Sequence, residues 1–171
     1  VVNWRDYQDK VDWGVVWLYA GAIIFGRTLD STGAAYWMAR SVIDFLAQFG
    51  MDAGLPLLMV NNGLTSILTN LMADGPAAAS VGPIALNMAG MVHPGTTYLP
   101  FMAMSTAIAS SFAYCLIIGT PPNAIVYASG YLEPKDYLRV GIPMFFVANV
   151  VLLFLTGVYW SFRGFGTMPG F

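Results

Sequence analysis

Gly119-Thr120-Pro121-Pro122-Asn123 interrupts apolar sequence that runs from Tyr98 to Leu116 on one side and from Ala124 to Tyr131 on the other. Two consecutive prolines remove two backbone donors and bar a regular helix through Thr120. In hydrocarbon, freed backbone groups are tolerated only where protein or a polar cavity covers them. Secondary transporters build binding sites at such breaks, whereas a simple proline kink carries no ligand. The rest of the chain bears on which of the two this is.

Of the 171 residues, 57% are hydrophobic and 9% charged, against roughly 25% charged in a soluble domain. The chain therefore belongs in a lipid bilayer. A net charge of −2 offers no field for nucleic acid. The single cysteine, Cys115, lies in an apolar run and reads as a packing residue. The lone His93, before Pro94-Gly95, reads as an interfacial histidine. Without paired histidines, a Ser-His constellation or a metal-ligand cluster, neither an enzyme nor a resident cofactor is expected. The chain opens on Val1 and a polar stretch, with no signal peptide. It reads as part of a longer membrane protein.

Residues 1–12 read as a cytoplasmic loop and 13–30 as a transmembrane helix. Over 33–50, Trp37, Met38, Val42, Ile43, Phe45, Leu46 and Phe49 recur at helical spacing around Arg40 and Asp44. That pattern predicts an amphipathic helix lying at the membrane interface. Residues 54–92 are apolar but broken at 73–76, Ala73-Asp74-Gly75-Pro76. The two arms fit two spans, or one re-entrant helical hairpin whose tip lies at mid-membrane. Asp74 favours the hairpin, because a carboxylate in lipid must face a cavity, a cation or a partner. A water-exposed turn between two spans would also satisfy it. Asn61-Asn62-Gly63 reads as a bend in the first arm.

A broken transmembrane helix is expected over 97–131, with its break at 119–123. The polar loop Glu133-Pro134-Lys135-Asp136, a final transmembrane helix over 138–161 and a loose tail over 162–171 follow. The expected fold is all-α and integral to the membrane, a re-entrant hairpin plus a broken helix. Arg5 and Lys10 precede the first span, and Lys135 and Arg139 the last. The positive-inside tendency places both groups in the cytoplasm. A multi-pass protein of the cell membrane, such as a bacterial inner membrane, is expected.

Two segments resemble a known family. Leu68-Thr69-Asn70-Leu71-Met72-Ala73-Asp74-Gly75-Pro76-Ala77-Ala78-Ala79, with Gly82-Pro83-Ile84, is similar to the second Ser-Asn-Thr hairpin of the divalent anion/sodium symporters (the DASS family). Ala109-Ser110-Ser111-Phe112-Ala113 and Gly119 through Gly130 resemble that family's broken helix. The run from Asp136 to Pro143 is similar to the start of its last span. The resemblance implies half of an inverted-repeat transporter fold, in a protein that is usually a homodimer. It implies symport of a small divalent anion, such as a dicarboxylate, citrate or sulfate, with Na+ as coupling ion.

By position, the resemblance makes Thr69, Met72, Asp74 and Gly119 cation ligands. The anion would meet Ala73, Asp74, Gly75, Thr120 and Pro121. Pro122 and Asn123 would support the break, Asn123 either tying freed backbone groups together or acting as a ligand. One departure is plain: Ala73-Asp74-Gly75 stands where the family has Ser-Asn-Thr. Two hydroxyl donors are lost and a neutral amide becomes an acid. Asp74 is then expected to hold sodium, or a proton, whenever the anion is bound. Two other readings are open. One is a cation/proton antiporter or metalloid exporter of the same superfamily. The other is a membrane scaffold subunit that transports nothing.

Overall fold

The computed structural model describes residues 3–10, 13–92 and 98–163. His93 and the tail beyond 163 lie outside them. Among the described residues the chain is helical, with no strand. Its elements are α1 (Trp4–Lys10), α2 (Trp13–Ser31), α3 (Ala34–Ala47), α4 (Gly54–Leu71), α5 (Asp74–Val92) and α6 (Tyr98–Ala109). A 3₁₀ turn (Ile117–Gly119), α7 (Pro121–Ala128), α8 (Pro134–Phe154), a π turn (Leu155–Tyr159) and α9 (Trp160–Phe162) follow.

The centre of the fold is α4, α5 and α6. Side-chain hydrogen bonds set the register between α4 and α6. Asn61 Nδ2 donates to Thr106 Oγ1 at 2.8 Å and Ser105 Oγ to Asn62 Oδ1 at 2.7 Å. Farther along, Ser66 Oγ meets the Ala109 carbonyl at 3.4 Å. Rising numbers pair with rising numbers, so α4 and α6 run parallel. The two-residue link Met72-Ala73 turns the chain, and α5 returns antiparallel, packed on both. Leu57, Leu58, Met88, Phe101 and Met102 fill the space among the three.

No bend occurs at Asn61-Asn62-Gly63; α4 runs unbroken through them. The two amides belong instead to a buried polar stripe, Asn61, Asn62, Thr65, Ser66, Thr69 and Asn70. These positions recur at the helical period. The opposite face is apolar and exposed, with Met59 at 61%, Ile67 at 54% and Leu71 at 61% exposure. A polar face turned inward and an apolar face turned outward is the reverse of a soluble helix. It suits an apolar solvent, where hydroxyls and amides hold helices together.

The segment Glu133-Pro134-Lys135-Asp136 is the start of α8 rather than a loop. Glu133 and Asp136 form a capping box, with the Glu133 N–H donating to Asp136 Oδ2 at 2.9 Å, and Pro134 occupies the first turn. Proline is favoured there because its missing N–H is unpaired in any helix. Pro134–Tyr159 spans 26 residues and contains an 18-residue window of mean hydropathy 2.1, of which 11% is buried. That helix is long and apolar enough to cross a bilayer. Residues 4–10, expected in a loop, form the short α1.

Candidate site between the hairpin tip and the helix break

At the tip, α4 stops at Leu71 and Met72 turns to extended backbone, φ −134° and ψ 151°. The Ala73 carbonyl accepts from the Ala77 N–H at 3.0 Å and so begins the α5 ladder. Asp74, Gly75 and Pro76 form the first turn of α5. A carboxylate there is favoured by the partial positive charge of the helix start. Thr69, in the last turn of α4, is fully buried. Its Oγ1 lies 2.9 Å from Asp74 Oδ1 and also donates to the Ser110 carbonyl at short range. The hydroxyl supplies one proton to two acceptors, a carboxylate and a carbonyl. The three oxygens therefore carry more lone pairs than protons, as the donor set of a hard cation does.

The break is wider than the prolines alone predict. α6 ends at Ala109, and regular α-helix resumes only at Pro121. The interruption thus covers 110–120, not 119–123, and Pro121, Pro122 and Asn123 open α7 instead of lying in the gap. The reason is that two side-chain amides take over the unwound backbone. Asn70 Nδ2 donates to the Phe112 carbonyl at 3.0 Å, and Asn70 Oδ1 accepts from the Cys115 N–H at 2.8 Å. Asn123 Nδ2 donates to the Ala113 carbonyl at 2.9 Å and the Leu116 carbonyl at 3.2 Å. Paired in this way, the backbone polar groups need no helix. Of the two roles open for Asn123, its bonds match the tying of freed carbonyls.

Thr120, in extended conformation, is the N-cap of α7. Its Oγ1 accepts from the Asn123 N–H at 3.4 Å. Gly119 is buried against the end of α4: a Cβ there would lie 3.4 Å from the Thr69 carbonyl oxygen and 2.7 Å from Ala113 Cβ. Thr69, Asp74 and Gly119 are therefore brought together, with Ser110 joining them. Met72 caps the end of α4, Ala73 links it to α5, Gly75 lies in the first turn of α5, and Thr120 and Pro121 stand at the start of α7. Among the described residues no hydrogen bond joins the two helix starts.

Sequence reasoning missed Asn70, Ser110, Tyr137 and Gly141. The Tyr137 hydroxyl donates to the Asn123 carbonyl at 3.0 Å, fastening α8 to α7. At Gly141, α8 rides directly on the unwound strand; an added Cβ would fall 2.7 Å from the Tyr114 carbonyl carbon and 2.8 Å from Cys115 Cα. Backbone cannot yield there as a flexible side chain can. Gly141→Ala is expected to push α8 off the break and cost about 1–3 kcal/mol. Thermal unfolding of the purified protein in detergent checks it; an unchanged melting temperature counts against this packing.

Clefts flank the break. One of about 390 Å³ is lined by Ile67, Asn70, Cys115 and Phe145 among others, and one of about 300 Å³ by Tyr114, Asn123, Tyr137 and Gly141 among others. A larger open cleft of about 770 Å³ lies among Asp30, Tyr36, Arg40, Asp44 and Asn87. It sits at the far end of α5, roughly 18 Å or more along the helix from Asp74 at 1.5 Å per residue.

Residues 1–165 match the family described as the sodium:sulfate symporter transmembrane region. A sequence named as an uncharacterised transporter of Haemophilus influenzae is 29% identical, covering 94% of this chain and 33% of the relative. The Na+/citrate cotransporter of Rattus norvegicus is 26% identical over 94% of this chain and 27% of its own length. A sodium-dependent high-affinity dicarboxylate transporter of Caenorhabditis elegans is 28% identical, over 99% of this chain and 28% of the relative. The chain thus spans a third or less of these relatives. The match covers both the acid-tipped turn and the amide-clamped break, and with it the chain belongs to the sodium:sulfate symporter family, the divalent anion/sodium symporters that its sequence resembles.

Proposed function

We propose that this chain is one repeat of a sodium-coupled symporter of small divalent anions: dicarboxylates, citrate or sulfate. The observation that carries the proposal is the oxygen cluster of Thr69, Asp74 and Ser110, with Gly119 against it, between the hairpin tip and the break. Thr69 Oγ1, the Met72 carbonyl, Asp74 and the Gly119 carbonyl are the proposed sodium ligands. Hard oxygen donors suit that ion. The starts of α5 and α7 would turn partial positive charge toward the anion. It would meet Ala73, Asp74, Gly75, Thr120 and Pro121, with Pro122 and Asn123 holding the break. Gly75 would offer a bare N–H where the family has a hydroxyl.

In this reading α4 and α5 form a re-entrant hairpin, α3 lies at the membrane interface, and α2 and α8 cross the bilayer. The protein is multi-pass, in the cell membrane, and a homodimer. The inward polar stripe of α4 and the long exposed apolar α8 support a membrane setting.

Uptake of labelled succinate and sulfate into proteoliposomes holding the complete protein tests the function. An inward sodium gradient is expected to drive accumulation of at least one of them. Equal uptake with choline in place of sodium overturns the proposal. Asp74 favours a second reading, cation/proton exchange, since intramembrane acids serve proton transfer. Sodium-driven proton movement without anion uptake in the same liposomes is the result that would select it.

A further inference from the structure

Asn70 stands immediately after a proposed cation ligand, yet its side chain bonds Phe112 and Cys115 of the unwound segment and none of the proposed cation ligands. It is buried, with 6% exposure. Its amide has three partners. Nδ2 donates to the Ser66 carbonyl of its own helix at 2.7 Å and to the Phe112 carbonyl at 3.0 Å, while Oδ1 accepts from the Cys115 N–H at 2.8 Å. Two of the three bonds thus cross from the hairpin arm to the unwound strand.

That strand has ends with different duties. At one end, Ser110 accepts the Thr69 hydroxyl. At the other, the 3₁₀ turn ends at Gly119, and Thr120 caps α7. Asn70 grips the strand between them. A small displacement of the α4 end, such as a cation pulling Thr69 and Asp74 together, is passed to Phe112 and Cys115 through two short bonds. From Cys115 a single residue, Leu116, leads into the 3₁₀ turn. Asn123 holds the same strand from the α7 side, through Ala113 and Leu116. The two amides alternate along the strand, so hairpin tip, strand and α7 start form one connected unit. Coupling between two sites needs such a shared element that both ligands bias.

We propose that Asn70 is the positioning residue that couples the cation cluster at Thr69 and Asp74 to the anion-facing start of α7. The proposal rests on the symporter reading given above. It assigns Asn70 no contact with either ion; its action is through Phe112 and Cys115.

The test uses the complete protein, with succinate and sulfate as probes. The coupling is read as the ratio of anion affinity in high sodium to that in choline. Asn70→Ser keeps a hydroxyl that bonds back to the Ser66 carbonyl, but reaches neither Phe112 nor Cys115. It is expected to lower the ratio at least about fivefold, the lower end of measured couplings, while the protein still melts cooperatively. Asn70→Gln keeps an amide within reach and is expected to recover part of the coupling. Thr106→Val serves as the control: it removes the Asn61 side-chain bond from the same α4–α6 interface, one turn before the break, leaves the bonds of Asn70 in place, and is expected to leave the ratio unchanged. A normal ratio in a folded Asn70→Ser protein overturns the proposal, as does an equal loss in Thr106→Val. Should the unaltered protein bind neither probe in a sodium-dependent way, the symporter reading itself fails, and that result is distinct from a failure at Asn70.

Discussion

Replacing Asn123 with alanine is expected to lower stability by about 2–3 kcal/mol and to cut anion uptake by at least about tenfold. The side chain is the donor for the Ala113 carbonyl, in a residue only 2% exposed, and for the Leu116 carbonyl. Leu116 keeps a weaker partner, the Gly119 N–H at 3.3 Å. Ala113 keeps none among the described hydrogen bonds, and a buried carbonyl without a donor costs about 1–3 kcal/mol. Pro121 and Pro122 have no N–H with which to take over. The cap of α7 survives in part, because Thr120 accepts from the Asn123 backbone and not from its side chain. The helix should therefore persist while the strand before it loosens. Asn123→Asp has the same size but no donors, so it is expected to repeat the loss. Melting in detergent and uptake in proteoliposomes together read the result. An alanine variant that melts and transports normally would show that the strand is held by something else.

The prolines made the break visible, because a missing donor and a fixed φ act locally. Its true extent was not visible. Ser110-Ser111-Phe112-Ala113 contains no breaker, and the helix ends there because Asn70, Asn123 and Gly141 supply partners and close contact from distant parts of the chain. Tertiary partners of that kind leave no local mark. Asn61-Asn62 was legible in principle. Read alone, the pair looks like a bend; read with Thr65, Ser66, Thr69 and Asn70, it is one face of a continuous helix. Glu133 through Asp136 misleads through composition, since a charged, proline-containing stretch resembles a loop, whereas the spacing of its two acids is that of a helix start. The acid at the tip was plain from the sequence. What it touches was not, because the Ser110 carbonyl that shares the Thr69 hydroxyl comes from the other side of the fold.

Asp74→Asn is the second large effect, and it separates the two ions. An ionised carboxylate among the Thr69 and Ser110 oxygens attracts a cation strongly. Unit charges about 4 Å apart interact by about 4 kcal/mol at an effective dielectric constant of 20. Much of that is offset by stripping water from the carboxylate. A net loss near 1.4 kcal/mol is a tenfold change, so the sodium concentration for half-maximal uptake is expected to rise about tenfold in the variant. The anion responds in the opposite sense. With sodium absent, a bare carboxylate at the start of α5 repels it and cancels part of the helix-end charge. Asparagine removes that repulsion and adds an N–H donor, the group the family carries at this position. Anion binding in choline is therefore expected to strengthen, and its dependence on sodium to shrink. The geometry of the tip should survive, since the asparagine oxygen can still accept from Thr69 as Asp74 Oδ1 does at 2.9 Å. Titration of uptake against sodium, and of succinate or sulfate affinity with and without it, measures both arms. An unchanged sodium requirement would remove Asp74 from the cation site. Weakened anion binding in choline would show that the acid helps to hold the anion and does not repel it.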